Sequence, residues 1–317
     1  MPHDFHSFIQ VMVATHLAQK NRQTAPVFEN FSYYEVRWMG FAEIGAFETY
    51  NFLYTACKDP QHFREWLLAL KGAPFLEEAA QKYQQWLTSE NSESSLPTTF
   101  SLTAEQQACW QTQGYLRIGG LVPDQLCDEV VAVIRNSMGI DLQNQDTWYP
   151  ENPDWHGLML QQYQDPAIAA IRNHPLLKAL FAELYGTHQL IANTEKVSYN
   201  PPETDSWKFR HEHLHWDIDP EQPLSLNIQG LIYLEDVPEN RGPLKVIPGF
   251  QHQYEDYIST FADFTAARQA IKVQPGAVKI PGRKGDVILW QHTLPHCATA
   301  NRDILPRFVQ YVSFTKC

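Results

Sequence analysis

The apolar positions of the chain change period once. As far as about residue 87 they recur at helical spacing, in Phe8-Ile9 with Val11-Met12-Val13, in Trp66-Leu67-Leu68 with Leu70, and in Tyr83 with Trp86-Leu87. Three-and-four spacing places such residues on one face of a helix. The aromatic-rich stretch from Phe41 to Tyr54 predicts another buried helix. Between Thr88 and Thr99 the chain turns polar, with Ser, Glu and Asn leading to Pro97, and this reads as a linker. The pattern therefore predicts a helical region over 1–95 and a separate domain over 101–317.

That second domain opens on Ser101 or Thr103, with Glu105 and Gln106 placed for a capping box. Gly114 to Ile118 predicts a short strand. Asp124 to Met138 predicts an amphipathic helix with Leu126, Val130, Val133 and Ile134 on one side, and Ala167 to Tyr185 a helix interrupted near Pro175. From Leu190 onward the period shortens to two. Leu226–Leu234, Gly276–Ile280, Asp286–Trp290 and Arg307–Thr315 predict strands, with one helix over Tyr254–Ile271 between them. Strands following a helical run predict an α+β fold, an antiparallel jelly roll flanked by helices.

Composition narrows the partners. The chain has 317 residues, 44% of them hydrophobic and 13% aromatic, enough to build a sizeable core. Its 24 basic and 36 acidic residues leave a net charge of −12, and no basic run interrupts the acidity. Such a surface repels polyphosphate, so neither nucleic acid nor an anionic membrane is expected as a partner. Cysteines 57, 109, 127, 297 and 317 are odd in number and lack CxxC spacing, which argues against a disulfide framework or a zinc knuckle. No run approaches the roughly 18 apolar residues of a membrane span. The start, Met1-Pro2-His3-Asp4, has no basic stretch of a signal peptide, so the expected location is cytoplasmic. Residues 1–95 carry no chemical motif and are expected to form a cap or a homo-oligomerisation element.

The densest chemistry lies in His211-Glu212-His213-Leu214-His215-Trp216-Asp217-Ile218-Asp219-Pro220. His211-Glu212-x-x-His215 spells a zinc hydrolase pattern, which needs a helix to bring both imidazoles to one face. Pro201-Pro202 and Asp219-Pro220 leave little room for one. On an extended segment, His215 and Asp217 project to the same side instead. With a distant His they would make a 2-His-1-carboxylate triad with open iron positions. Two such histidines, His292 and His296, follow the 286–290 strand. On the final strand Arg307, Val309, Tyr311 and Ser313 share a face, and an inward Arg invites a carboxylate ligand held by its planar fork.

His215-x-Asp217, the stretch Pro238-Glu239-Asn240-Arg241-Gly242-Pro243-Leu244-Lys245-Val246-Ile247-Pro248-Gly249-Phe250-Gln251-His252, then Gly285-Asp286, His296, Asn301 and Arg307 occur in order. Together with Leu102-Thr103-Ala104-Glu105 and Gly114-Tyr115-Leu116, this series resembles the phytanoyl-CoA dioxygenase family over about residues 101–317. The resemblance implies a double-stranded β-helix of the jelly-roll or cupin kind, and an oxygenase using Fe(II), 2-oxoglutarate and O2. It implies His215, Asp217 and His296 as the catalytic metal ligands and Arg307 as the anchor of the far 2-oxoglutarate carboxylate. The expected reaction hydroxylates an unactivated C–H of a small metabolite or natural-product intermediate, releasing succinate and CO2. Related halogenases lack the carboxylate at the position of Asp217, so halogenation is not expected. Cys297-Ala298-Thr299 departs from the small Gly-Ser pair common after the distal His. Lys196, Ser198, Tyr199 and Thr299 are then the candidates for further cosubstrate contacts. Trp207, Arg210, His213, Trp216, Gln229, Arg283 and His292 are the candidate substrate residues. A zinc hydrolase built on His211, Glu212 and His215 and a non-catalytic jelly-roll binding protein are the alternatives.

Overall fold

The computed structural model describes residues 4–88, 98–221 and 223–317, so the linker expected over 88–99 and the start Met1-Pro2-His3 fall largely outside the described residues. The chain divides into two compact units, one of Met1–Thr98 with Thr187–Thr194 and Phe314–Cys317, the other of Thr99–Gly186 with Glu195–Ser313. In chain order the elements are α1 (Phe5–Lys20), α2 (Phe31–Phe41), α3 (Ala46–Thr55), α4 (Pro60–Lys71), α5 (Ala73–Leu87), α6 (Ala104–Gln113), β1 (Tyr115–Ile118), α7 (Asp124–Met138), β2 (Trp155–His156), β3 (Met159–Leu160), α8 (Pro166–Arg172), α9 (Pro175–Tyr185), β4 (Leu190–Ala192), β5 (Val197–Asn200), β6 (Ile228–Tyr233), β7 (Leu244–Val246), α10 (Tyr254–Ser259), α11 (Phe264–Ile271), β8 (Val278–Ile280), β9 (Val287–Gln291), β10 (His296–Ala298) and β11 (Arg307–Lys316).

The first unit is a helical bundle. Asp4 caps α1 by accepting from the backbone of His6 and Ser7. Phe5, Phe8, Ile9, Met12 and Val13 then fall on one buried face, packed with Trp38, Phe63 and Tyr83. The stretch Phe41–Tyr54 is not one helix. It breaks after α2, Glu43 takes φ 47°, and α3 begins where Glu48 accepts from the Gly45 backbone at 2.7 Å. β4 pairs antiparallel with the end of β11, Phe314–Lys316, inside this unit.

In the second unit Thr103 and Gln106 exchange hydrogen bonds at the start of α6, completing the expected capping box. The helix over Tyr254–Ile271 is split. The Ser259 and Thr260 hydroxyls turn back onto the carbonyls of Asp256 and Tyr257, and Asp263 caps a fresh start at α11. An antiparallel sheet runs in the order β1-β9-β6-β11-β5-β3-β2, and a small one in the order β10-β7-β8. Register decides which side chains face the small sheet. Gln229 lies opposite both Trp290 and Ser313, Leu231 opposite Ile288 and Tyr311, and Val309 opposite Tyr233 and Ser198. Leu231, Tyr233, Ile288, Trp290 and Val309 from that face join Leu244, Val246, Ile280 and Cys297 of the small sheet in one buried core. No helix among the described residues is long and apolar enough to cross a membrane.

Candidate metal centre

The segment 211–219 is irregular and pairs like a strand at one point, where His215 and His296 exchange backbone hydrogen bonds, each at 3.0 Å. That single bridge sets the two imidazoles side by side, their centroids 4.7 Å apart. Two residues on, Asp217 returns to the same side. One ligand atom from each of His215, Asp217 and His296 lies within 4.8 Å of the others.

The hydrogen-bond partners select the tautomers. His215 Nδ1 lies 3.1 Å from the His213 carbonyl and His296 Nδ1 3.1 Å from the Leu294 carbonyl. A carbonyl only accepts, so both Nδ1 atoms carry a proton, and in the neutral ring it is Nε2 that has the lone pair a metal would take. Those two Nε2 atoms stand 3.8 and 3.4 Å from the Asp217 carboxylate. Burial, and then the neighbouring His296, lower the His215 pKa and favour its neutral, ligating form. Burial alone would raise the Asp217 pKa, but His296, His215 and the Gln229 amide outweigh it and hold the carboxyl well below the usual range. Two imidazoles whose Nε2 atoms face one ionised carboxylate, with both rings fixed from behind by backbone oxygens, are the donor set of a non-haem iron site.

Arg307, at the start of β11, is 1% exposed. It donates to the Gly242 carbonyl and, at 3.2 Å, to Ser198 Oγ. Its Nε is buried without a partner, and no carboxylate among the described residues pairs with it. A buried guanidinium lacking an anion is costly, so the site fits a carboxylate ligand. Gly242 is required here. Its φ is +68°, and an added Cβ would meet Asn200 Nδ2 at 2.5 Å and the Thr299 carbonyl at 2.8 Å.

The other candidates separate. Lys196 and Ser198 share the inner face of β5 and its approach, with Lys196 Nζ 5.5 Å from the Tyr311 ring and 3.8 Å from Glu195. Tyr199 does not join them. Strand alternation sends it to the opposite face, where it bonds the Trp148 carbonyl at 3.0 Å. The Thr299 hydroxyl is spent on the Pro243 carbonyl at 2.7 Å. Trp216 is a core residue, 1% exposed, packed on Phe250, Tyr254 and Phe264, because it alternates away from its two neighbours. Arg283 is exposed in the turn before β9, at the other end of that strand from Trp290. His292 is buried, with Nδ1 3.1 Å from the Asn227 carbonyl oxygen and 3.2 Å from its backbone nitrogen, and burial lowers its pKa. His213 touches His215 through its carbonyl, while the rings lie 6.4 Å apart. Trp207 stacks on Trp155 at 6.1 Å, and Arg210 is exposed. Gln229 bonds Asp217 itself, at 2.8 Å.

The zinc hydrolase reading fails on this geometry. Residues 211–215 are not helical, and His211 is not among the converging ligands. Glu212 is tied to the Ala300 backbone at 3.0 Å and to Lys245 at 3.4 Å, which leaves no free base. Trp290, whose ring centroid lies 5.1 Å from that of His296, was not among the candidate site residues. Only its register opposite Gln229, invisible in the linear chain, brings it there.

Fold and site together define a non-haem iron, 2-oxoglutarate-dependent oxygenase. The profile of the phytanoyl-CoA dioxygenase (PhyH) family matches residues 110–307, and the chain belongs to that family. It is 22% identical over 254 residues to the "Putative phytanoyl-CoA dioxygenase" of Dictyostelium discoideum, covering 64% of this chain and 72% of that protein. Among solved structures it shares its fold with the non-haem α-ketoglutarate-dependent carbocyclase SnoK from nogalamycin biosynthesis, with a TM-score of 0.52, 20% identity, and 70% and 87% of the two chains covered. It shares it also with EvdO2 from Micromonospora carbonacea var. aurantiaca, complexed with 2-oxoglutarate, with a TM-score of 0.52, 13% identity, and 70% and 94% covered.

Proposed function

We propose that this oxygenase hydroxylates an unactivated C–H bond of a small metabolite or natural-product intermediate, and that its two facing sheets form a double-stranded β-helix. The observation that carries the reading is the convergence of three unspent ligand atoms in a domain that also buries an unpaired guanidinium. His215 and His296 would hold iron through Nε2 and Asp217 through a carboxylate oxygen. Bound iron with 2-oxoglutarate supplies the oxidising chemistry, in which R–H, O2 and the keto acid give R–OH, succinate and CO2.

Everything else falls to the protein's own side chains. Asp217 stays ionised and offsets one charge of the ion, while the backbone acceptors behind His215 and His296 keep both rings turned inward. Arg307 would pair the far carboxylate of 2-oxoglutarate, its plane held by Ser198 and the Gly242 carbonyl. The stacked Trp207 and Trp155, with Arg210 and His213 on the same chain segment, would form a rim for substrate. Natural-product chemistry is supported by SnoK, a fold neighbour from nogalamycin biosynthesis. Residues 1–95 would serve as a cap or an oligomerisation element.

Anaerobic Fe(II) with 2-oxoglutarate should give a weak visible charge-transfer band that His296→Ala removes. If His211→Ala abolishes the band and His296→Ala keeps it, the assignment is wrong. Succinate release across a panel of amino acids, acyl derivatives and pathway intermediates then identifies the substrate. A chain that binds both cofactors yet never releases succinate would be a binding protein instead.

A further inference from the structure

We propose that Gln229, aimed by Trp290, is a positioning residue that sets the orientation in which Asp217 meets the metal. The proposal rests on the metal-site reading above. Gln229 and Trp290 are directly opposite on neighbouring strands β6 and β9, so their side chains rise together from the inner face. Trp290 Nε1 lies 3.0 Å from Gln229 Oε1, and Gln229 Nε2 lies 2.8 Å from Asp217 Oδ2.

The direction of this relay is set by chemistry. An indole N–H only donates, so it must meet the amide oxygen, and the amide nitrogen is then turned toward Asp217. The carboxylate needs such a hold. Asp217 sits on an irregular segment whose nearest strand-like pairing is at His215, and its side chain is 57% exposed. Without a fixed donor its oxygens are free to rotate, and ordering them would fall on metal binding. The amide is neutral, so it orients the carboxylate without removing its charge.

Trp290 also serves the opposite side of the site. It is 2% exposed, and its ring packs on that of His296. One indole thus locates His296 by contact and Asp217 through Gln229, joining ligands that lie far apart in the chain. Outer partners of this kind are worth about 10–100-fold in metal affinity.

The test titrates the full-length apo-protein anaerobically with Co(II), following its visible bands, with thermal unfolding of each apo-variant as the fold control. Gln229→Met keeps the length of the side chain and loses both hydrogen bonds. Its Co(II) affinity should fall about 10–100-fold with altered band intensities and a near-wild-type melting temperature. Trp290→Phe keeps a ring beside His296 but loses the N–H, so its affinity should fall several-fold. Added to Gln229→Met it should change little more, because it acts through the amide. Wild-type Co(II) affinity in Gln229→Met overturns the proposal, as does a Trp290→Phe loss that is equally large with and without Gln229. If Gln229→Met does not fold, Trp290→Phe decides alone, and unchanged affinity there overturns the proposal. Wild-type Co(II) affinity in Asp217→Ala would instead remove the metal site itself, whatever the Gln229 variants show.

Discussion

Two clusters of histidine and carboxylate, one in each unit, use the same residue types to opposite ends. In the helical unit His16 and Glu35 are 7% and 4% exposed, and His16 Nε2 meets Glu35 at 2.5 Å. Tyr54 takes the other ring nitrogen at 3.0 Å and donates to Gln19, while Tyr50 donates to the second Glu35 oxygen at 3.1 Å. Burial, then Glu35, pushes the Tyr50 hydroxyl pKa far up, so it remains a donor. Both ring nitrogens and both carboxylate oxygens are in use. At the other cluster the Nδ1 atoms are fastened to backbone while the Nε2 atoms converge on Asp217 no closer than 3.4 Å. A closed network holds a fold together, whereas a fixed but unclosed one is prepared for a guest.

Mutation should split the two clusters cleanly. The largest effect is expected from Asp217→Ala, which should reduce succinate formation to background while leaving the urea midpoint near wild type. A large loss of stability there would mean the triad holds the fold. Glu35→Ala should do the converse. Removing one member of a buried pair costs about 3–5 kcal/mol, read from urea unfolding, while the Fe(II)/2-oxoglutarate band of the folded protein persists. Loss of that band in a folded Glu35→Ala protein would erase the distinction.

Arg307 sharpens the contrast, being buried like Glu35 yet paired with no anion among the described residues. Arg307→Leu should weaken 2-oxoglutarate binding by about 3–5 kcal/mol with Fe(II) affinity nearly intact. Arg307→Lys should lose less, since the charge stays and the fork goes. Unchanged cosubstrate affinity in the Leu variant would remove Arg307 from the site. The smallest effect concerns pH. Burial lowers the pKa of both His215 and His292 below the ordinary imidazole value of 6.5, so the unfolded chain takes up protons first as the medium acidifies. Their contribution to apo-protein stability is present above pH 6.5 and should fade below it. Melting temperatures at pH 7.5 and 5.5 read the loss, which should shrink in His292→Gln; an equal loss in that variant would exclude His292.

How far the chain alone discloses this depends on the range of the interaction. Capping at Thr103, the break at Pro175 and the strands around Ile228–Tyr233 and Val287–Gln291 follow from neighbours a few residues apart, and they were legible. So was the placing of His215 and Asp217 on one side of a non-helical segment, although that segment is irregular rather than a strand. The breaks inside 41–54 and 254–271 were harder. There Glu48 and Asp263 cap new helices within runs whose apolar pattern continues without interruption. Tyr199 and Trp216 were misplaced because a polar or aromatic residue next to a motif is not thereby on its face.

Local order and the candidate ligands belong to the sequence, since alternation, capping and residue chemistry act between near neighbours. Folding alone decided that His296 bridges to His215, that Arg307 lies sealed without a counter-ion among the described residues, and that Trp290 turns Gln229 onto Asp217. Those depend on strand register, and a shift of one residue would turn every one of these side chains to the opposite face.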